Sequence, residues 1–211
     1  MTHSRGTYAK AQTDAVISRW LLSSLDTPSV ARLDWELGRP AVLRTGVVFD
    51  AVKMSPELVH AAVESTEPDL VGGALAQILD GPVICHPSAQ YYALVAAQTT
   101  ETWRSPLATV LGRSGWLTIP RVDRTRPPGI HWTVPITQAG KLCTPSAVVE
   151  LLRVGRAKCE DVTSKAFLTK YTAWLTHSQR CATCNSGADR CPDGDDLWKT
   201  YLTARRDTST P

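Results

Sequence analysis

The stretch TGVVFDAVKMSPELV, Thr45 to Val59, sets the fold class. Its first part, Thr45 to Met54, is short and rich in Val and Phe, which favours a central strand. Ser55-Pro56-Glu57 follows at once. A serine hydroxyl can accept from the free N–H groups of a first helical turn, and proline is pre-set for its first position, so a helix opens here. A strand running directly into a helix is a mixed α/β signature.

The neighbouring segments extend that pattern. Upstream, Thr13 to Leu25 carries Val16, Ile17, Trp20, Leu21 and Leu22 at helical spacing and ends before Pro28. Val30, Leu33, Trp35 and Leu37 repeat the spacing from Ser29, and Gly38-Arg39-Pro40 stops it. Downstream, Asp69 to Leu79 reads as a helix and Asp80-Gly81 as a turn. Pro82 to Cys85 and Tyr91 to Val95 read as strands joined by His86-Pro87-Ser88-Ala89. Leu107 to Leu111, Trp116 to Ile119 and His131 to Val134 are further short strands, the last two separated by the Pro-rich loop Pro120 to Gly129. Thr144-Pro145 starts a helix that reaches Val154. From Arg156 the strands disappear, leaving a helix over Val162 to Thr176, a cysteine cluster, a helix over Asp193 to Arg205 and a polar tail. The expectation is an α/β (α+β) domain over residues 1–155, a mixed central sheet flanked by helices, followed by a small helical zinc-binding module over residues 156–211.

Bulk properties constrain function weakly. The chain has 211 residues and is 43% hydrophobic, enough to bury a core as one or two domains. A net charge of +3 and a pI near 8.6 are too mild to imply a charge-driven nucleic-acid binder. Met1 to Lys10 lacks an apolar leader core, and no stretch approaches the roughly 20 apolar residues of a membrane span. A cytoplasmic protein with no membrane association is expected. Six cysteines in a reducing compartment are thiols or metal ligands rather than disulfides.

Three of those cysteines fall in the series H-x3-C-x2-C-x6-C formed by His177, Cys181, Cys184 and Cys191. The i, i+4 spacing of the first pair puts both side chains on one helix face, and C-x2-C lets two thiolates converge on one ion. Asn185-Ser186-Gly187 can turn the chain back to Cys191, which stands at the start of the last helix, where the dipole favours a thiolate. Four donors close a tetrahedral shell, so a structural Zn2+ joining two helices is expected. Cys159 competes with His177 for the fourth place, and free thiols are the plain alternative. Cys85 and Cys143 lie in apolar surroundings and read as core.

Catalytic signatures are missing. Gly72-Gly73 falls within a helical stretch, and no phosphate loop, H-E-x-x-H, G-x-S-x-G or kinase set occurs. Asp34 and Glu36, two apart on a helix, point to different faces and read as surface charge. Asp50 is the only acid in the apolar strand, facing either solvent at its end or the interior, and one carboxylate cannot hold the two metal ions of nucleotidyl transfer. Arg121, Arg124 and Arg126 precede His131 and Trp132. Arginine forks grip phosphates and an aromatic can stack a base, which suits a nucleotide or nucleic-acid strand. The plain alternative is a solvated loop with Trp132 in the core. Lys199, Arg205 and Arg206 can extend a basic face. Leu197, Trp198, Tyr201 and Leu202 form an apolar face on the last helix that suits a protein partner.

Three segments, FDAVKMSPELV (Phe49 to Val59), LDGPVICHPSAQYYALV (Leu79 to Val95) and LGRSGWLTIPRVDRTRPPGIHW (Leu111 to Trp132), resemble small actinobacterial, streptomycete-type proteins labelled as bifunctional primase–polymerase domains. The resemblance covers roughly residues 30–155, and a closing cysteine cluster before a final helix is familiar from the same group. It implies a pair of acids on adjacent strands with a further acid and a histidine nearby, holding metal and nucleotide. Only Asp50 and His131 can be laid on such roles, and no D-x-D or D-x-E accompanies them on a strand. The expected function is therefore non-catalytic: a zinc-stabilised protein binding nucleotide or nucleic acid, DNA rather than RNA, in replication or mobile-element maintenance. The alternatives are a zinc-containing protein–protein adaptor and an active divergent primase/polymerase built on Asp50.

Overall fold

The computed structural model describes residues 3–87, 90–185 and 189–208. The chain divides into two compact units, Met1–Gly155 and Arg156–Pro211. Among the described residues no helix is long and apolar enough to cross a membrane.

In the first unit the helices are α1 (His3–Leu22), α2 (Ser29–Glu36), α3 (Pro56–Val63), α4 (Pro68–Leu79), α5 (Thr99–Thr102) and the opening turns of α6 (Pro145–Arg180). The strands are β1 (Ala41–Arg44), β2 (Asp50–Met54), β3 (Val83–His86), β4 (Gln90–Val95), β5 (Thr109–Leu111), β6 (Trp116–Ile119) and β7 (His131–Val134). Five of them form a sheet in the order β5-β2-β4-β3-β7, while β1 and β6 form a separate ribbon. Every pair of named strands is antiparallel, and a parallel bridge joins Val95 to Cys143. The fold is mixed α/β, followed by a helical C-terminal region.

The sheet is apolar on both faces, and strand alternation divides its side chains between two cores. Ala51, Ile84, Leu94 and Trp132 pack with Ile17 and Leu21 of α1, Trp35 of α2, and Leu43, Leu117 and Ile119 of the ribbon. Val52, Met54, Val83, Tyr91 and Ala93 lie on the opposite face beneath Val59 of α3, Val71 and Leu75 of α4, and Val148, Leu151 and Leu152 of α6. The start of α3 follows its local chemistry: Leu58 N–H donates to Ser55 Oγ at 3.3 Å and Pro56 occupies the first turn.

α1 begins at His3 rather than Thr13 and β1 was not expected; three further departures have a clear physical cause. The run Thr45 to Met54 is not one strand: β1 ends at Arg44, β2 begins at Asp50, and residues 45–49 form a loop. Gly46 adopts a φ of +82°, and a Cβ there would stand 2.5 Å from the Arg113 Cα, so the chain must turn against the backbone of another loop. Thr45 Oγ1 fixes that turn by donating to the Gly112 carbonyl at 2.6 Å. Val48 and Phe49 pack into the core from this loop, so their hydrophobicity reports burial without ladder pairing. The short helix α5 carries no strong apolar period and was not expected. Finally, α6 continues through Gly155, where a break was expected. A Cβ at Gly155 would lie 2.1 Å from the Leu58 carbonyl oxygen, so this glycine permits close contact between α6 and α3 rather than ending a helix.

This difference between glycines is testable by thermal or urea unfolding. Gly155→Ala should destabilise by about 1–3 kcal/mol through forced separation of the two helices. Gly73→Ala in α4, where a Cβ meets nothing within 4 Å, should be neutral or stabilise by up to ~1 kcal/mol.

Candidate metal centre

In the second unit the chain leaves α6 at Arg180, makes the single-turn helix α7 (Ala182–Asn185) and enters α8 (Pro192–Thr208). His177 lies in the last turn of α6, and Cys181 N–H donates to its carbonyl at 2.9 Å, holding the i, i+4 pair on one side. Asn185 N–H reaches the Cys181 carbonyl at 2.8 Å, a turn that returns Cys184 toward Cys181. Cys191 immediately precedes α8. Its carbonyl accepts from Asp195 N–H at 2.9 Å, and its sulfur accepts from Gly194 N–H at 3.3 Å, so the sulfur caps the helix as a serine hydroxyl would.

These local choices bring one ligand atom from each of His177, Cys181, Cys184 and Cys191 within 4.8 Å of one another. The Cys191 sulfur lies 3.8 Å from that of Cys181, 3.7 Å from that of Cys184, and 3.1 Å from His177 Nε2. Two thiolates bound at about 2.3 Å to a tetrahedral ion stand about 3.8 Å apart. The sulfur spacing is therefore that of a tetrahedral metal site. Gly194 supplies a further fit: it is buried against the cluster, and a Cβ there would approach Cys184 Sγ to 2.6 Å and His177 Nε2 to 3.2 Å. Backbone N–H groups point at the sulfurs. The Cys184 N–H, followed in effect by the Cys191 thiol, holds Cys181 down to about 7. At Cys191 the Gly194 N–H favours the thiolate, but burial and the other two sulfurs outweigh it and push that thiol up. A divalent ion held by these residues would remove this competition by favouring the thiolate at all three cysteines.

Cys159 is excluded as the fourth ligand. It lies on α6 eighteen residues before His177, about 27 Å along a helix rising 1.5 Å per residue. Beyond the donors, the unit is held by rings. Phe167, Tyr171 and Trp174 of α6 meet Trp198 and Tyr201 of α8, with Trp174 and Trp198 centroids 4.7 Å apart and the Arg190 guanidinium 4.5 Å over Trp198. Among the described residues from Arg156 onward only Gly194, Tyr201 and Ala204 are buried.

No family model, curated protein or solved structure matches the chain. The site must be read from its own geometry.

That geometry reassigns several residues. Asp50 is fully buried, and its Oδ2 accepts from the N–H and hydroxyl of Thr100 at 3.1 and 3.4 Å, capping α5; Oδ1 has no partner among the described residues. His131 is nearly buried, with Nδ1 bonded to the Gly129 carbonyl at 2.9 Å. The register Met54–Tyr91–Cys85–His131 places His131 level with the far end of β2 and three strands away. At about 4.8 Å per strand and 3.3 Å per residue, Asp50 and His131 are separated by about 14 Å across the sheet and about 13 Å along it. They cannot share a metal or nucleotide.

Trp132 is fully buried and donates from Nε1 to the Arg121 carbonyl at 3.2 Å, so it cannot stack a base. Arg121 forks onto Asp123 at 2.6 and 2.7 Å, and Arg124 donates to the Pro128 carbonyl. Arg126 is exposed. On α8, Tyr201 is buried and Trp198 half-buried in the ring cluster, which corrects the expected outward apolar face; Leu197 and Leu202 are half-buried. Gly194 was missed, although its place three residues after a ligand cysteine, in the first turn of a helix, is a readable sign of a crowded donor.

Gly194→Ala should lose bound metal as completely as Cys184→Ser, whereas Cys159→Ser should retain it, checked by elemental analysis of purified protein. Asp50→Ala should lower unfolding stability by about 1–3 kcal/mol through the two lost hydrogen bonds from Thr100 to the carboxylate, with metal content unchanged.

Proposed function

We propose that the chain is a non-enzymatic binding protein whose 156–211 unit folds around one structural zinc ion. The observation that carries this reading is the donor set: His177, Cys181, Cys184 and Cys191 each offer one ligand atom within 4.8 Å of the others, and three thiolates with an imidazole would fill a tetrahedron and leave no position for water or substrate. Thiolate with imidazole suits zinc among the common divalent ions. The ion supplies cohesion; His177, Cys181, Cys184 and Cys191 hold it, and the Gly194 N–H orients one sulfur. The separation of Asp50 from His131 argues against nucleotidyl transfer.

A protein partner is the leading reading of what is bound. Val30 and Leu33 on α2 and Leu37 at its C-cap are all exposed and recur at i, i+3 and i+7, while Trp116 and Val42 are exposed on the β1–β6 ribbon. Large apolar residues exposed along one helix face favour association. Nucleic acid, DNA rather than RNA, is the second reading. It is supported by exposed Arg124 and Arg126 within the segment Leu111 to Trp132 that resembles primase–polymerase domains.

Purified protein should contain about one zinc per chain, and acidification should release it as the thiolates take up protons. Salt-titrated binding to labelled DNA and RNA separates the partner classes. Binding that weakens with salt and is lost in Arg124→Ala/Arg126→Ala supports nucleic acid. No binding at low salt in zinc-loaded protein removes that reading.

A further inference from the structure

Resting on the zinc reading, we propose that the cluster is a hydroperoxide-sensitive switch in which Cys191 is the shared disulfide partner and oxidation ejects the ion. Cys191 is within 3.8 Å of both other sulfurs, and a disulfide needs about 2.05 Å, so a small sulfur displacement joins it to either one. The ligands are only part-buried, and two surface grooves reach them: His177, Arg180 and Cys181 border one, and Cys184, Asp189 and Pro192 border the other.

The chemistry balances with hydrogen peroxide as the oxidant. One cluster thiolate attacks a peroxide oxygen, the O–O bond breaks, and sulfenic acid and hydroxide form. A second thiolate attacks the sulfenic sulfur, the S–S bond forms, the S–O bond breaks and a second hydroxide leaves. Two thiolates have lost two electrons to the peroxide. The ion, deprived of two of its four donors, leaves as Zn2+, and the remaining thiolate takes a proton from water.

The other cysteines do not compete. Burial pushes the Cys143 thiol up to about 12 and raises Cys85 as well, so neither offers thiolate. Cys159 is about 27 Å along α6 from the cluster by helical rise and has no cluster sulfur to resolve it. With so few buried residues in the unit, loss of the ion also loosens α8 from α6, and the Trp174–Trp198 pair reports it.

The test uses the whole 211-residue chain with Cys159→Ser as background. Zinc content is measured first, then peroxide is titrated against a chromogenic zinc chelator, with near-ultraviolet circular dichroism and disulfide mapping on the same samples. The expected result is release of about one zinc per chain, a disulfide from Cys191 to Cys181 or Cys184, loss of the aromatic signal, and recovery of both with dithiothreitol and zinc. Zinc retained under excess peroxide overturns the switch while leaving the structural site standing. A Cys181–Cys184 disulfide, or release with only sulfinic or sulfonic acids, overturns the role of Cys191. No zinc in untreated protein fails the underlying site and the switch together.

Discussion

Burial of one antiparallel sheet on both faces is the constraint from which the first unit follows. Because neighbours along a strand point to opposite cores, the buried apolar residues of β2, β3, β4 and β7 are committed to α1, α2 and the ribbon on one side or to α3, α4 and α6 on the other. Trp132 is committed in this way, and so it closes a core instead of meeting a ligand. Asp50 sits where the sheet ends and the chain turns into α5, and its carboxylate serves the backbone there. Residues whose chemistry invites a catalytic reading are thus already engaged in holding loops to the sheet.

The second unit obeys a different rule. It has two long helical segments but almost no interior, so apolar burial alone cannot offset the entropy of ordering it. A row of aromatic contacts along the helices and a four-donor cluster at their joined end take the place of a core. Apart from the buried Tyr201 the rings are partly exposed and adaptable, whereas the donors fix direction and distance. That division explains why a buried glycine, a residue without any donor side chain, belongs to the site: closeness to the sulfurs matters as much as chemistry.

What was legible in the sequence was local. Ser55-Pro56 starts α3 by a hydrogen bond made within one turn, and the spacing from His177 to Cys191 converges because helix geometry places i and i+4 together. What was not legible depended on distant chain. The break between β1 and β2 is enforced by the backbone at Arg113, and the passage of α6 through Gly155 by the carbonyl of Leu58. An isolated window contains neither neighbour. The choice between His177 and Cys159 differs in kind: once α6 is one helix, its rise alone decides it, and only the expected break after Val154 obscured this.

Cys191 is at once a donor of the four-residue cluster and the cap of α8, and the two roles cannot vary independently. Whatever favours the first turn of that helix pre-organises a donor, and whatever binds the donors nucleates the helix. Metal affinity and α8 helicity are therefore thermodynamically linked, with equal coupling in both directions. Asp193 and Asp195 in the first turn, and the Asp195–Lys199 ion pair one turn on, lie outside the donor cluster. By stabilising the helix they still raise the affinity of a site they do not touch.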